Sequence, residues 1–270
     1  MTTIQAIILG IIQGITEFLP ISSTGHLVLA PHLLNWDIPK DQLFVFDVLV
    51  QMGTLVAVIL YFWKDLHSIF TNTLKNISKP EGFKHPNVRL AINILFASIP
   101  AGLIGLAFKD KFESTFDNLS ITAIFLFVTA LLLFIAEKKG KQNREFEDIG
   151  FWEAIGIGVF QALALFPGIS RSGATISSAM FRHLKRPAAA RFSFLISVPI
   201  MLAAGLYTSM GLFEIANLSS FIGPMVIGFV TSAIVGYLAI RWLINFLSSY
   251  PLYYFSIYLI VLSVSILLIN

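Results

Sequence analysis

Six stretches of the chain, about residues 44–63, 91–108, 119–136, 192–213, 221–240 and 252–269, are apolar over nearly their whole length. A helix needs roughly 20 such residues to cross a bilayer, so lipid is the solvent for most of this chain. In lipid every backbone N–H and C=O must be satisfied within the protein, which leaves helices or a closed barrel. Unalternating runs of this length are helical. Composition agrees: 56% of residues are hydrophobic and only 12% charged, whereas soluble domains are about a quarter charged. The N-terminus lacks a basic leader and its apolar run is interrupted at Gln13, so it reads as part of the mature fold. There is no cysteine, which removes disulfides, thiolate catalysis and cysteine-based metal sites. Basic residues lie in short loops between spans and are not interleaved with exposed aromatics, which argues against a nucleic-acid partner.

Two segments break the pattern. Residues 4–34 and 151–183 each hold a short apolar arm, a loop rich in Gly, Pro and Ser, and a second short arm. Irregular backbone at membrane depth is tolerated only where protein buries it or a watery cavity bathes it, so each segment reads as a re-entrant helix-loop-helix hairpin. The two also echo one another. At an offset of 148 residues, Gln13, Phe18, Ile21, Ser22 and Gly25 align with Gln161, Phe166, Ile169, Ser170 and Gly173, and over residues 6–46 eleven of 41 positions agree. The expected fold is an all-α polytopic membrane protein, a single membrane domain of six transmembrane helices and two hairpins.

Each half is then one hairpin followed by three spans: residues 1–136, a linker at 137–150, and residues 151–270. Three spans is an odd number, so the second half starts from the opposite side, giving an inverted-topology repeat. In such repeats binding sites form near the midplane where broken helices meet. Orientation follows from Lys and Arg, which concentrate on the cytoplasmic side. Fourteen of the 18 lie in loops of one side, among them Lys64, Lys84, Lys138, Arg144, Arg186 and Arg241; Lys40, Lys109 and Lys111 lie on the other. The linker is therefore cytoplasmic, both termini and the mouth of the first hairpin face outward, and the second hairpin dips in from the cytoplasm. The mixed charge of the linker reads as a solvated loop and nothing more.

The remaining basic residue is Arg171, at the tip of the second hairpin. A charge at that depth costs roughly 2.5 to 3.5 kcal/mol on insertion scales unless it is paired or faces water, so Arg171 is there for an anion. The first hairpin supplies Glu17 and His26. Gln13 and Glu17 share a helix face at i and i+4, and Ser23 and His26 share one at i and i+3. Ser22, Ser23, Thr24, Ser170 and Ser172 can cap the arms that follow each break, aiming two helix N-termini and their N–H groups at a phosphate. Plainer readings exist for each: single serines that are only caps, or a Glu17–Arg171 pair that only holds the hairpins together. A carboxylate, an imidazole, a guanidinium and several hydroxyls together at membrane depth favour a site. His32, His67, His85 and His183 read as interfacial; Asp47 and Gln51, again i and i+4, line the cavity or merely sit at the interface.

The sequence resembles the undecaprenyl-diphosphate phosphatases of the bacitracin-resistance type. The likeness rests on Leu9-Gly10, Gln13-Gly14, Thr16-Glu17-Phe18-Leu19-Pro20, Ser22-Ser23 and Gly25-His26, and on Pro167-Gly168, Ser170-Arg171-Ser172-Gly173 and Thr175. It covers the whole chain. It implies hydrolysis of undecaprenyl diphosphate to the monophosphate carrier lipid and inorganic phosphate at the outer face of the bacterial inner membrane, recycling the carrier for cell-wall synthesis and conferring bacitracin resistance. Glu17, Ser23, His26 and Arg171 become the expected catalytic residues. Gln13, Ser22, Gly25, Gly168, Ser170, Ser172, Gly173 and Thr175 become the expected contacts to substrate.

The resemblance also implies a divalent cation, Mg²⁺ or Ca²⁺, for which Glu17 and Gln13 are the candidate ligands. The family motif begins with Glu or Gln, and Gln13 here leaves Glu17 as the single carboxylate. Membrane lipids and the lipid diphosphate are the expected partners, with room for a homodimer. Two schemes stand open for the nucleophile: Ser23 with His26 or Glu17 as its base, or His26 itself with Ser23 positioning the phosphate; the reading leans to Ser23 with His26 as its proton acceptor. A competing class is a polyprenyl-phosphate transporter or flippase, because inverted repeats with broken helices are the usual build of secondary transporters.

Overall fold

A computed structural model describes residues 1–108, 111–112, 115, 118–209 and 218–269, with backbone alone at 40, 41, 44, 208–209 and 218–220. Lys109 and the stretch 210–217 lie outside the described residues. The described elements are helical, with a single isolated bridge between Arg144 and Leu184. Each expected hairpin is a pair of short helices around a break. α1 (Thr3–Thr16) and α2 (Ser23–Leu33) form the first, and α7 (Phe151–Leu163) and α8 (Arg171–Phe181) the second. At 1.5 Å per residue α1 is about 21 Å long, short of a hydrocarbon core of about 30 Å.

Four described helices are long and apolar enough to cross a membrane: α5 (Pro86–Ala107), α6 (Leu119–Lys139), and the greater parts of α9 (Arg186–Ser209) and α10 (Leu218–Ser249). The remaining two expected spans differ from this pattern. α3 (Lys40–Tyr61) bends by 73° into α4 (Trp63–Asn76), and the two pass the length and hydropathy test for a span only when taken together. α11 (Tyr253–Ile269) has 17 residues, at the lower end of what a crossing needs. α4 occupies what the hydropathy pattern leaves as a loop. Its exposed face carries Trp63, Phe70 and Leu74, its buried side Ile69, and Lys64 and Lys75 belong to the same helix. That amphipathic pattern belongs to a helix lying in the membrane interface, and a search for 20-residue apolar runs cannot find it.

The halves pack on each other crosswise. α1 lies along α10 and α7 along α5, while α3 meets α10 and α6 meets α11. Exchanging the halves turns the first pairing into the second. Gly10 and Gly158, matched at the 148-residue offset, make both approaches close: a Cβ on Gly10 would lie 2.8 Å from the Gly228 oxygen, and one on Gly158 would lie 2.2 Å from the Ala97 oxygen. Small residues at such crossings are how helices associate where lipid gives no hydrophobic drive.

The linker is more than a solvated loop. Arg144 makes a two-pronged pair with Glu153 at 2.8 and 2.9 Å and also donates to the Arg182 carbonyl, so it clamps both arms of the second hairpin. Glu137, at the end of α6 and nearly buried, pairs with Arg186 and accepts from the Leu252 amide at 3.0 Å. A bidentate arginine fixes orientation where a lysine supplies only charge. These contacts hold the second hairpin at a set height against α6 and α11.

Candidate active site

The breaks at residues 17–22 and 164–170 bring the starts of α2 and α8 to one cavity of about 140 Å³. Both helices start alike. Ser22 Oγ accepts from the Gly25 amide at 3.3 Å, and Ser170 Oγ accepts from the Gly173 amide at 3.0 Å. Each cap satisfies one of the four N-terminal donors that have no intrahelical partner. The first helical residue is Ser23 in one case and Arg171 in the other, again 148 positions apart. Ser22 differs from its counterpart in backbone: its φ is +72°, against −71° for Ser170. That left-handed conformation is strained for serine, and strain of this kind costs about 1–3 kcal/mol.

Glu17 sits at the centre, with its side chain 3% exposed. One carboxylate oxygen accepts from Ser23 Oγ at 2.7 Å and from Gln13 Nε2 at 3.0 Å; the other accepts from Arg171 Nη2 at 2.7 Å. Arg171 thus crosses from the second half to the first. Its Nη2 also approaches Met201 Sδ, while its Nη1 is buried without a partner. A buried guanidinium N–H left unpaired is costly, and this one belongs to a residue that lines the cavity. Gln161 Oε1, in the same wall, is buried and unpartnered too. The cavity is therefore furnished with a hydroxyl, a carboxylate, a free guanidinium edge and an amide oxygen.

Not every expected site residue reaches it. Glu17, Ser23, Ser170 and Arg171 line the cavity, and Gln13 touches it through Glu17. His26 does not meet Ser23: Nδ1 bonds the Ser22 carbonyl at 2.7 Å and Nε2 bonds Tyr258 Oη at 2.7 Å. The i, i+3 spacing puts the two on neighbouring lines of α2, and His26 takes the line facing α11. The amides of Gly25 and Gly173 are used by the serine caps. Ser172 donates to the Leu19 carbonyl, tying the two breaks together at 3.1 Å. Thr175 turns back to the Arg171 carbonyl and meets Ser193, deep in the protein. Gly168 has φ +97°, and a Cβ there would lie 2.3 Å from the Thr122 oxygen. These five act by building the hairpins: Gly25, Gly168, Ser172, Gly173 and Thr175. Ser22 does the same as a cap. Of Asp47 and Gln51, only Gln51 lines the cavity.

Three contributors carry no site role in the sequence reading: Gln161, Met201 and Tyr258. Gln161 is the repeat counterpart of Gln13, so the duplication itself is a signal for it. Nothing in the spacing points to Met201 or Tyr258, which reach the site from α9 and α11.

A profile of the family described as bacitracin resistance protein BacA matches residues 6–265. The chain belongs to that family. It is 43% identical over 256 residues to an undecaprenyl-diphosphatase of Cutibacterium acnes, covering 92% of this chain and 90% of that one. It is 40% identical to one from Alkaliphilus metalliredigens, at 96% and 95% coverage, and 41% identical to one from Chlorobium phaeovibrioides, at 100% and 97%. Similarity of that extent runs through both hairpins and all the long helices, and makes this BacA-family chain a multi-pass membrane protein.

A hard cation takes oxygen ligands. Here Glu17, Gln13, Gln51 and the Ser23 hydroxyl offer them, but among the described residues no three His, Cys, Asp or Glu side chains gather. Both oxygens of Glu17 already accept hydrogen bonds. That set fits a Mg²⁺-like ion held by one carboxylate and largely by substrate phosphates, the usual arrangement for that ion; it does not form a closed protein cage.

Proposed function

We propose that the chain hydrolyses undecaprenyl diphosphate to undecaprenyl phosphate and inorganic phosphate, with Ser23 as nucleophile and Glu17 as its base. The observation that carries this is the continuous contact from Ser23 Oγ through Glu17 to Arg171, each link 2.7 Å. A nucleophile needs a base within hydrogen-bond reach, and Ser23 has Glu17. Ser23 Oγ attacks the terminal phosphorus and its proton passes to Glu17. The bond to the bridging oxygen breaks, and the lipid monophosphate leaves. Glu17 passes its proton to the departing lipid phosphate and then takes one from the water that attacks the phosphoserine; the P–Oγ bond breaks, Ser23 regains that proton and inorganic phosphate leaves. Arg171 Nη1 and the first amides of α2 neutralise the charge on the phosphoryl oxygens, which is most of what catalysis of this transfer requires. A divalent cation bound by the diphosphate, Glu17 and Gln13 would add to that neutralisation. His26, with both ring nitrogens engaged, supports the Ser22 carbonyl instead of attacking.

Several finer features belong to the same proposal. The crosswise pairing of α1 with α10 and α7 with α5 supports an inverted repeat, with residues 1–136 and 151–270 as its halves. The loop charges support a cytoplasmic linker, termini outside and a site reached from the outer face of a bacterial plasma membrane. Both hairpins of the site come from one chain. Transport alone would not call for a serine held against a carboxylate. The test is the purified protein in detergent, given undecaprenyl diphosphate and assayed for free phosphate with and without chelator. Release that stops with chelator, returns with Mg²⁺ or Ca²⁺ and is lost in Ser23→Ala is the expected result. Folded protein that releases none under any of these conditions overturns the reading.

A further inference from the structure

Next to the catalytic cavity, and sharing Thr16 with it, lies a groove of about 450 Å³. One wall is the end of α1 and its break, with Ile15 and Leu19. The other is aromatic: Trp242 and Phe246 of α10, and Tyr254 and Tyr258 of α11. Trp242 stacks on Phe246 at 4.8 Å, and Tyr254 meets Phe246 edge-on at 5.9 Å, so the wall is braced from within. Ile15, Trp242, Tyr254 and Tyr258 are 39–56% exposed, so the groove is open along its outer side. Tryptophan and tyrosine gather at membrane interfaces in any case. An interfacial belt, however, does not account for a concave surface whose inner end is the catalytic hairpin.

At that inner end stands His26, stacked on Tyr258 with centroids 5.8 Å apart and bonded to its hydroxyl. The other ring nitrogen holds the Ser22 carbonyl, next to Ser23. The passage between groove and cavity runs over Thr16, whose hydroxyl is turned back to the Ile12 carbonyl at 2.7 Å, away from the passage. The cavity of about 140 Å³ suits a head group, whereas pockets for larger apolar ligands run to about 300–1,000 Å³. Among the described residues, the groove has that size and apolar character next to the site.

We propose that this groove holds the isoprene units that follow the first, with the Tyr258–His26 pair as its threshold. This rests on reading the site as a lipid-diphosphate hydrolase. Chain contacts against Tyr258 reach the nucleophile through His26 and Ser22, so chain binding contributes to turnover as well as to affinity. Binding energy remote from the reacting bond is expressed in this way, and truncated substrates then lose kcat as well as affinity.

The test compares full-length wild type with Ile15→Trp, which fills the groove, and Trp242→Ala, which removes a wall. Substrates are isopentenyl diphosphate, farnesyl diphosphate and a long polyprenyl diphosphate. Both variants are expected to lose about ten-fold or more in kcat/KM on the two longer chains and to stay within about two-fold on the five-carbon one. Equal losses on all three, or none on any, overturn the proposal. A second measurement needs no turnover. Ser23→Ala protein is irradiated with a farnesyl diphosphate carrying a terminal benzophenone. Adducts on Trp242, Tyr254 or Ile15 that excess polyprenyl diphosphate competes away support the groove; adducts elsewhere reject it. Groove adducts on Ser23→Ala together with a folded wild type that hydrolyses none of the three substrates would remove the hydrolase reading and leave the groove standing. Hydrolysis indifferent to chain length would do the reverse.

Discussion

Ser23 and Arg171 hold the same place in two hairpins, each the first residue of the helix that follows the break, and both touch Glu17 at 2.7 Å. In the reaction proposed above, one of these matching positions carries the hydroxyl that attacks, and the other carries the cation that receives the charge. The helix N-terminus suits both tasks, since its positive end favours an alkoxide and an incoming phosphate alike. Capping by Ser22 and Ser170 is common to the two hairpins, while the residue after the cap differs.

Arg171→Lys should lower kcat roughly 10²-fold or more, because a lysine cannot hold Glu17 with one edge and offer a second N–H to phosphate. Arg171→Ala should go further and also destabilise the fold by about 3–5 kcal/mol, having left a buried carboxylate unpaired. Phosphate release and thermal unfolding in detergent separate the two effects. Near-normal turnover by the lysine variant would remove the phosphate-binding role.

Glu17→Gln should cost roughly 10² to 10⁴ in kcat, the usual worth of a positioned base. In wild type, rapid quench with labelled diphosphate should trap an adduct that survives acid and is lost in base, as phosphoserine does. The adduct should be absent from Ser23→Ala. An acid-labile, base-stable adduct that vanishes only in His26→Ala would point to histidine instead.

His26→Ala should reduce kcat about 10- to 100-fold, less than Ser23→Ala, because it removes the tie on the Ser22 carbonyl and lets Ser23 drift; misplacement by about 1 Å can cost 10²-fold. Quench should still trap acid-stable adduct, more slowly. Complete loss of adduct with the fold intact would give His26 a direct part in the chemistry.

Gly168→Ala should be strongly destabilising. The left-handed φ adds about 1–3 kcal/mol, and contact with the Thr122 carbonyl adds about as much through overpacking. The variant's unfolding temperature should fall and its activity with it. A variant as stable as wild type would mean the break does not sit tightly on α6.

Sidedness can be read with single cysteines in this cysteine-free chain. Asn35, between α2 and α3, and Asn143, in the linker, are both exposed. An impermeant thiol reagent on intact cells should label the first and miss the second. Labelling of both would end the inverted-repeat orientation. Asn217, a natural choice for a second outward site, lies outside the described residues.

The site was legible to the extent that polar groups at membrane depth have few uses. Glu17 and Arg171 stand out because charge is costly there, and Pro20 and Pro167 mark where the helices break. Partners were not legible, since spacing along α2 cannot say that His26 turns to a tyrosine 232 residues away. Hydroxyls are hard to read for a related reason. Ser172 and Thr175 bond nearby carbonyls, and a serine or threonine at membrane depth has that use whether or not it meets a substrate. α4 escaped because a helix lying along the interface needs only one apolar face.

The bond between Glu17 and Arg171 joins groups made at different times, the first near the start of synthesis and the second well over a hundred residues later. Until the later half docks, Glu17 lacks the guanidinium that meets its second oxygen. The split between the hairpins makes the complete cluster a product of docking, so that it exists only in the assembled chain.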